Sequence, residues 1–140
     1  LKLKKADNPI DIQQLAAILN TERRVYKSRF MIKVGEKLKS VPSDEIACFY
    51  SLNGGTYIHT IEKRNYTIDY SMDQLDELMD ERSFFRINRK LMISFNSIEA
   101  IHTWSGSRLR LELSSAISEL EDDMLVSRER VKEFKEWLDR

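Results

Sequence analysis

From Phe84 to Ile98 the chain reads Phe-Phe-Arg-Ile-Asn-Arg-Lys-Leu-Met-Ile-Ser-Phe-Asn-Ser-Ile, its densest grouping of residues able to recognise another molecule. Two aromatics open the stretch. Arg86, Asn88, Arg89 and Lys90 then set three cations and an amide directly before the apolar Leu91-Met92-Ile93. A guanidinium is a fixed fork of donors suited to a phosphate or a guanine edge, and an Asn amide can face an adenine edge. Further bases gather at Arg108 to Arg110 and at Arg128 to Lys135, while acids gather at Asp73 to Glu81 and at Glu119 to Asp123. Alone, the charged stretch reads first as a solvated strand end.

Catalysis finds less to work with. No paired carboxylate, His/Cys cluster or glycine-rich phosphate loop lies near the stretch. Asp69 and Asp73 are the nearest thing to an acid and base, but Asp69 falls at a strand end and Asp73 in a first helical turn, where the dipole alone favours a carboxylate. His59 and His102 fall in predicted strands and read as ordinary sheet histidines. Cys48 is the only cysteine, which excludes an internal disulfide, and its neighbours Ala47 and Phe49 imply a buried thiol. One Cys and two separated His make no recognisable zinc site. Trp104, beside the Ser105 turn, reads as an amphipathic core-edge tryptophan. No enzymatic activity, metal or cofactor is expected.

The 140 residues suffice for one domain plus an appendage, and 41% hydrophobic with 33% charged residues suits a soluble globular chain. No apolar run is long enough to span a bilayer and no secretory signal opens the chain, so a cytoplasmic location is expected. The 23 bases balance 23 acids, which argues against a generically basic nucleic-acid binder. Distribution then matters more than the sum: the basic groups share a face only if the fold brings them together.

The elements that must do so are mostly short strands. Asn8-Pro9 supplies a cap and a first-turn proline for a helix from about Pro9 to about Arg24, with Ile12, Leu15, Ala16 and Leu19 as a stripe that could pack on the domain, the reading its short length favours, or pair with a second copy as a short coiled coil. Strands follow at Arg29 to Val34 and Lys37 to Val41 around Gly35-Glu36, then from Ile46, from Thr56 after the Asn53-Gly54-Gly55 turn, and from Tyr66 to Tyr70. Five short strands in succession indicate antiparallel sheet. Ser71 and Gln74 form a capping box for a short helix that buries Leu75, Leu78 and Met79. Alternation sends Phe84 and Phe85 to opposite faces, one of them covering that helix. Strands Ser97 to Trp104 and Arg108 to Leu113 flank Ser105-Gly106-Ser107, Ser114 to Asp123 reads as a loose connection, and Met124 to Val126 as a last strand. Ser127 then caps a final helix packed through Val131, Phe134, Trp137 and Leu138.

From Lys27 to Arg140 the chain resembles the LytTR DNA-binding domain of bacterial response regulators. The resemblance rests on Phe84-Phe85-Arg86-Ile87-Asn88-Arg89, on Ile98-Glu99-Ala100-Ile101 at the usual distance after it, on Val126-Ser127-Arg128 opening the C-terminal helix, and on Tyr50 to Tyr57 at the place of the first recognition loop. It implies a mainly β fold of short antiparallel strands in small sheets, with residues 1–26 as an inter-domain linker and helix and residues 27–140 as the DNA-binding domain. It also implies an upstream receiver domain, double-stranded promoter DNA with repeated half-sites as the partner, and a homodimer among the assemblies to expect. Three segments would meet DNA: the turn carrying Asn53, Thr56 and Tyr57; the corner Asn88, Arg89, Lys90; and Ser127, Arg128 and Arg130. Arg86, Arg108 and Lys132 would contact phosphates, which orient a protein but carry little sequence information. Glu129 stands where many members have a base-contacting Arg or Lys. A β-rich protein-interaction domain, with the basic patch meeting an acidic partner, is the alternative.

Overall fold

A computed structural model of the chain describes residues 11–15 and 25–139. Residues 12–15 are helical, and Asp11 Oδ1 accepts from the Gln13 backbone N–H at 3.1 Å. Ile12 and Leu15 are 81% and 43% exposed, so these two members of the expected stripe do not pack on the domain. Asn8, Pro9, Ala16, Leu19 and Arg24 lie outside the described residues, as does the Trp104 side chain.

The strands are β1 (Arg29–Val34), β2 (Lys37–Pro42), β3 (Ile46–Leu52), β4 (Gly55–Thr60), β5 (Asn65–Ile68), β6 (Phe84–Arg86), β7 (Leu91–Ser94), β8 (Ile98–Trp104) and β9 (Arg108–Leu113). Helix α1 (Met72–Leu78) follows β5, and α2 (Val131–Leu138) closes the chain. All pairing is antiparallel: a β1–β2 hairpin, a five-stranded sheet in the order β5-β4-β3-β7-β6, and a β8–β9 hairpin. The fold is therefore mainly β in small sheets, as the strand pattern predicts. No helix of the described residues is long and apolar enough to cross a membrane.

The five-stranded sheet is the middle of three layers. Its central strands β3 and β7 are buried on both faces, and the period of two divides them: Cys48, Tyr50, Leu91 and Ile93 enter one core, Phe49 and Met92 the other. The first core is completed by β9, by Ile117, Leu120, Met124 and Val126, and by Phe134 and Trp137 of α2. The second is completed by Phe30, Ile32 and Val41 of the β1–β2 hairpin and by Met72, Leu75 and Met79 at α1. Phe84 and Phe85 divide as alternation predicts. Phe84 packs with Leu75 and Met79 in the second core, and Phe85 lies 5.2 Å from the Phe134 ring and 5.3 Å from Trp137.

Local chemistry fixes the connections. Asn53 (φ 51°) and Gly54 (φ 82°) are both left-handed, the conformation a two-residue hairpin turn requires, and they set Leu52 opposite Gly55. The capping box forms as read: Ser71 Oγ accepts from Gln74 N at 3.0 Å, and Gln74 Oε1 from Ser71 N at 2.8 Å.

Three expectations are corrected. Residues 114–123 are no loose connection, because Ile117 and Leu120 are buried and the backbone forms a 3-10 turn at Ser118–Asp123. His59 clamps this segment to the sheet, with Nε2 2.9 Å from Ser115 O and Nδ1 2.9 Å from Asn65 Oδ1, while Ser115 Oγ donates to Ile61 O. Met124 to Val126 is no strand of its own. Arg110 and Leu125 form an isolated bridge, supported by Leu111 N to Met124 O and Val126 N to Leu109 O. Ser127 does not cap α2 through its side chain; Arg128–Arg130 form a 3-10 turn whose Arg130 N bonds to Ser127 O, and α2 begins at Val131.

Candidate nucleic-acid interface

The corner between β6 and β7 is built from the inside. Ile87 is fully buried, and its N–H donates to Leu91 O at 3.0 Å, closing the turn. Asn88 locks it. Its Nδ2 donates to Asp123 O at 2.9 Å and Leu125 O at 2.8 Å, and its Oδ1 accepts from Lys90 N at 2.8 Å and Leu91 N at 3.0 Å. Those bonds exhaust the capacity of a side-chain amide. Arg86 braces the corner from behind: Nε donates to Asn88 O, Nη2 to Arg89 O, and Nη1 to Asp73 at 3.1 Å and Asp76 at 2.7 Å. With only 12% of its side chain exposed, Arg86 is a strut.

The Asn88 amide, and four of the five guanidinium N–H groups of Arg86, are thus engaged within the protein. Arg89 is different: it is exposed, and among the described residues it forms no ion pair or side-chain hydrogen bond. Lys90 is half-buried and pairs with Asp123 at 3.1 Å.

Backbone bonds bring the other expected segments alongside. Ser51 N donates to Lys90 O at 2.9 Å, which holds the end of β3, and hence the Asn53 turn, beside the corner. On the other side Ser127 N donates to Ile87 O at 2.9 Å and Arg130 Nη1 to Arg86 O at 3.2 Å. The three segments therefore form one rim. Asn53 is exposed at its turn, while Thr56 and Tyr57 are half-buried, and the Tyr57 ring stacks on Tyr50 with centroids 5.2 Å apart. A Cβ at Gly55 would lie 3.1 Å from the Tyr57 hydroxyl, so a side chain there would need the Tyr57 ring to give by a few tenths of an ångström. Ser127 is half-buried and works through its backbone. Arg128 and Lys132 are exposed, and half-buried Arg130 also lies 3.8 Å from Glu133. Arg108, at the start of β9, is half-buried, with its Nε enclosed and without a hydrogen-bond partner.

Sequence reading missed Asp73 and Asp76 as the carboxylates that hold Arg86. Separations of thirteen and ten residues carry no local signal, and both looked like the solvated side of a helix. His102, exposed in β8, lies 3.9 Å from Glu112, a surface pair across the hairpin. Among the described residues no group of three or more His, Cys, Asp or Glu converges as a metal site.

A family model for the LytTr DNA-binding domain matches residues 36–139. The chain belongs to the LytTR DNA-binding domain family. This is a family of DNA-binding domains and not of enzymes. The LytTR fold is also what a solved structure from Bacillus cereus shares with this chain, at a TM-score of 0.66 and 23% identity over 80% of this chain and 97% of that one. That protein is described as the LytTr DNA-binding domain of a methyl-accepting/DNA response regulator. No match was found among curated proteins.

Proposed function

We propose that this LytTR domain is the sequence-specific DNA-binding output of a two-component response regulator that controls transcription. The observation that carries this reading is the corner: every polar group of Asn88 is engaged inside the protein, and beside it Arg89 is left exposed with its donors free. A rigid backbone carrying one free guanidinium suits bidentate contact with a guanine edge. Asn53, Thr56 and Tyr57 on one side and Ser127 on the other form the rest of the reading rim, with Lys90, Arg108, Arg128, Arg130 and Lys132 toward phosphates. Arg86 and Asn88 are positioning residues. The partners are promoter duplex with repeated half-sites, an upstream receiver domain and a second copy of the chain, in the cytoplasm.

Selection from a random duplex pool tests the reading. A repeated consensus supports it, and a pool without enrichment favours a protein-interaction domain instead. Against the selected site, Arg89→Ala should lose about 1–3 kcal/mol of discrimination, with much less effect on unrelated DNA. Equal loss on both sequences would reduce Arg89 to a phosphate contact.

A further inference from the structure

Helix α2 carries opposite charge on its two flanks. Glu133 and Glu136 face a cleft shared with α1, where Asp76 and Glu81 stand beside Arg86 and Arg130. The other flank faces the turn between β8 and β9, where Arg128, Lys132 and Lys135 line a groove with Gly106 and Ser107. Lys132 and Lys135, three residues apart on α2, keep to one side, and Arg128 joins them at the groove from the preceding 3-10 turn. No carboxylate lines the groove, and among the described residues none of the three forms an ion pair. Gly106 is left-handed (φ 74°), and a Cβ there would sit 3.7 Å from Arg128 Nη2, so the guanidinium lies against a residue without a side chain. Converging cations repel one another, and in a chain with as many acids as bases this groove is a place an anion would relieve.

We propose that the groove seats the DNA backbone on the flank beyond the reading corner, with Lys135 as its outermost phosphate contact; this rests on the DNA-binding reading above. The groove continues from the rim, because Arg128 follows Ser127, whose N–H is bonded to Ile87 O. Three residues of 3-10 turn and four of α-helix advance roughly 12 Å. Lys135 therefore reaches a different phosphate from Arg128. The three cations are exposed and strung along a helix, which suits an extended polyanion better than a small anion that a closed cage would hold.

The test crosses one substitution with one change in the DNA. Affinities of the parent, Lys135→Ala and Lys135→Arg are measured over a salt series, on the selected site with long flanks and on the same site trimmed on either side. On the long duplex Lys135→Ala should weaken binding on the order of fivefold at low salt and flatten the salt slope by about 0.9, without reordering sequence preference. Lys135→Arg should bind like the parent. Trimming one flank should lower the parent's affinity and leave the alanine variant little changed.

Parental affinity and slope for Lys135→Ala, or an equal trimming penalty for both proteins, would overturn the proposal. So would saturation of the groove by inorganic phosphate, followed through the Gly106 and Lys135 amide resonances, with duplex length irrelevant, since the occupant would then be a free phosphoanion. Arg89→Ala in the same titration separates the two readings. A parent that binds no duplex would bring down the DNA reading itself, whereas a parent that binds and depends on Arg89 but not on Lys135 would bring down only the flank contact.

Discussion

Replacing Asn88 with alanine isolates the lock at the β6–β7 corner. The substitution leaves two carbonyls, of Asp123 and Leu125, and two amides, of Lys90 and Leu91, without their partners. At about 0.5–1.5 kcal/mol per bond the loss would span about 2–6 kcal/mol. These bonds are only part-buried, so water recovers some of them and the lower half applies, about 2–4 kcal/mol. That is a large share of the roughly 5–15 kcal/mol by which a domain is stable. Asn88→Asp divides the lock: it keeps an acceptor for the two amides but places a carboxylate against two carbonyl oxygens. It should be at least as damaging as alanine at neutral pH and recover as the pH falls, because the protonated acid can donate again. Urea unfolding followed by tryptophan fluorescence reads stability, and binding to a selected duplex reads function. Should Asn88→Ala unfold at the parent's midpoint while losing preference for that duplex, the internal lock is wrong and Asn88 reads a base.

Three further outcomes are expected. Arg128→Ala should weaken DNA binding with melting unchanged or slightly raised, whereas Arg130→Ala should also lower stability by about 0.5–1.5 kcal/mol, since its guanidinium bonds to Arg86 O; melting curves beside gel-shift titrations separate the two, and earlier melting with normal binding in both would assign them to the fold. Phe84→Ala removes a ring 5.6 Å from that of Phe49 in a filled core and should cost about 3–5 kcal/mol in chemical denaturation, an expectation that a parental midpoint would refute. Burial pushes the Cys48 thiol from 9.0 up to about 12, so native protein at pH 8 should resist alkylation until urea unfolds it, and rapid labelling of the native state would contradict the buried thiol. The sign follows: the neutral thiol's contribution to stability is intact below pH 9.0 and is lost as the pH rises toward about 12.

Strand periodicity made most of the fold legible. β1 and β2 around Gly35, the left-handed Asn53-Gly54 turn and the Ser71 capping box all rest on chemistry local to a few residues. Reading failed where acids concealed an apolar spacing. Ile117, Leu120 and Met124 are buried, yet Glu119, Glu121, Asp122 and Asp123 between them gave the segment a solvated look. At the corner, residue types located the rim but could not divide its labour. An Asn facing inward toward the carbonyls of Asp123 and Leu125 has the same sequence as one facing out, and only the third dimension separates Arg86, braced by Asp73 and Asp76, from Arg89, which has no side-chain partner among the described residues.

The opposed flanks of α2 also bear on how the molecule finds its target. A chain with zero formal charge feels no net pull toward a polyanion from a distance, but Arg128, Lys132 and Lys135 on one side of α2 and Glu133 and Glu136 on the other make a local dipole there. A dipole experiences torque before it experiences attraction. Its field decays faster than that of an ion, and at 0.1 M salt screening confines it to about 10 Å. Orientation would then act mainly in the last moments of encounter, turning the basic flank to the duplex and the carboxylates away. Such a molecule would pass unrelated polyanions with short residence times, and its association rate would respond less to salt than that of a domain carrying a large positive charge.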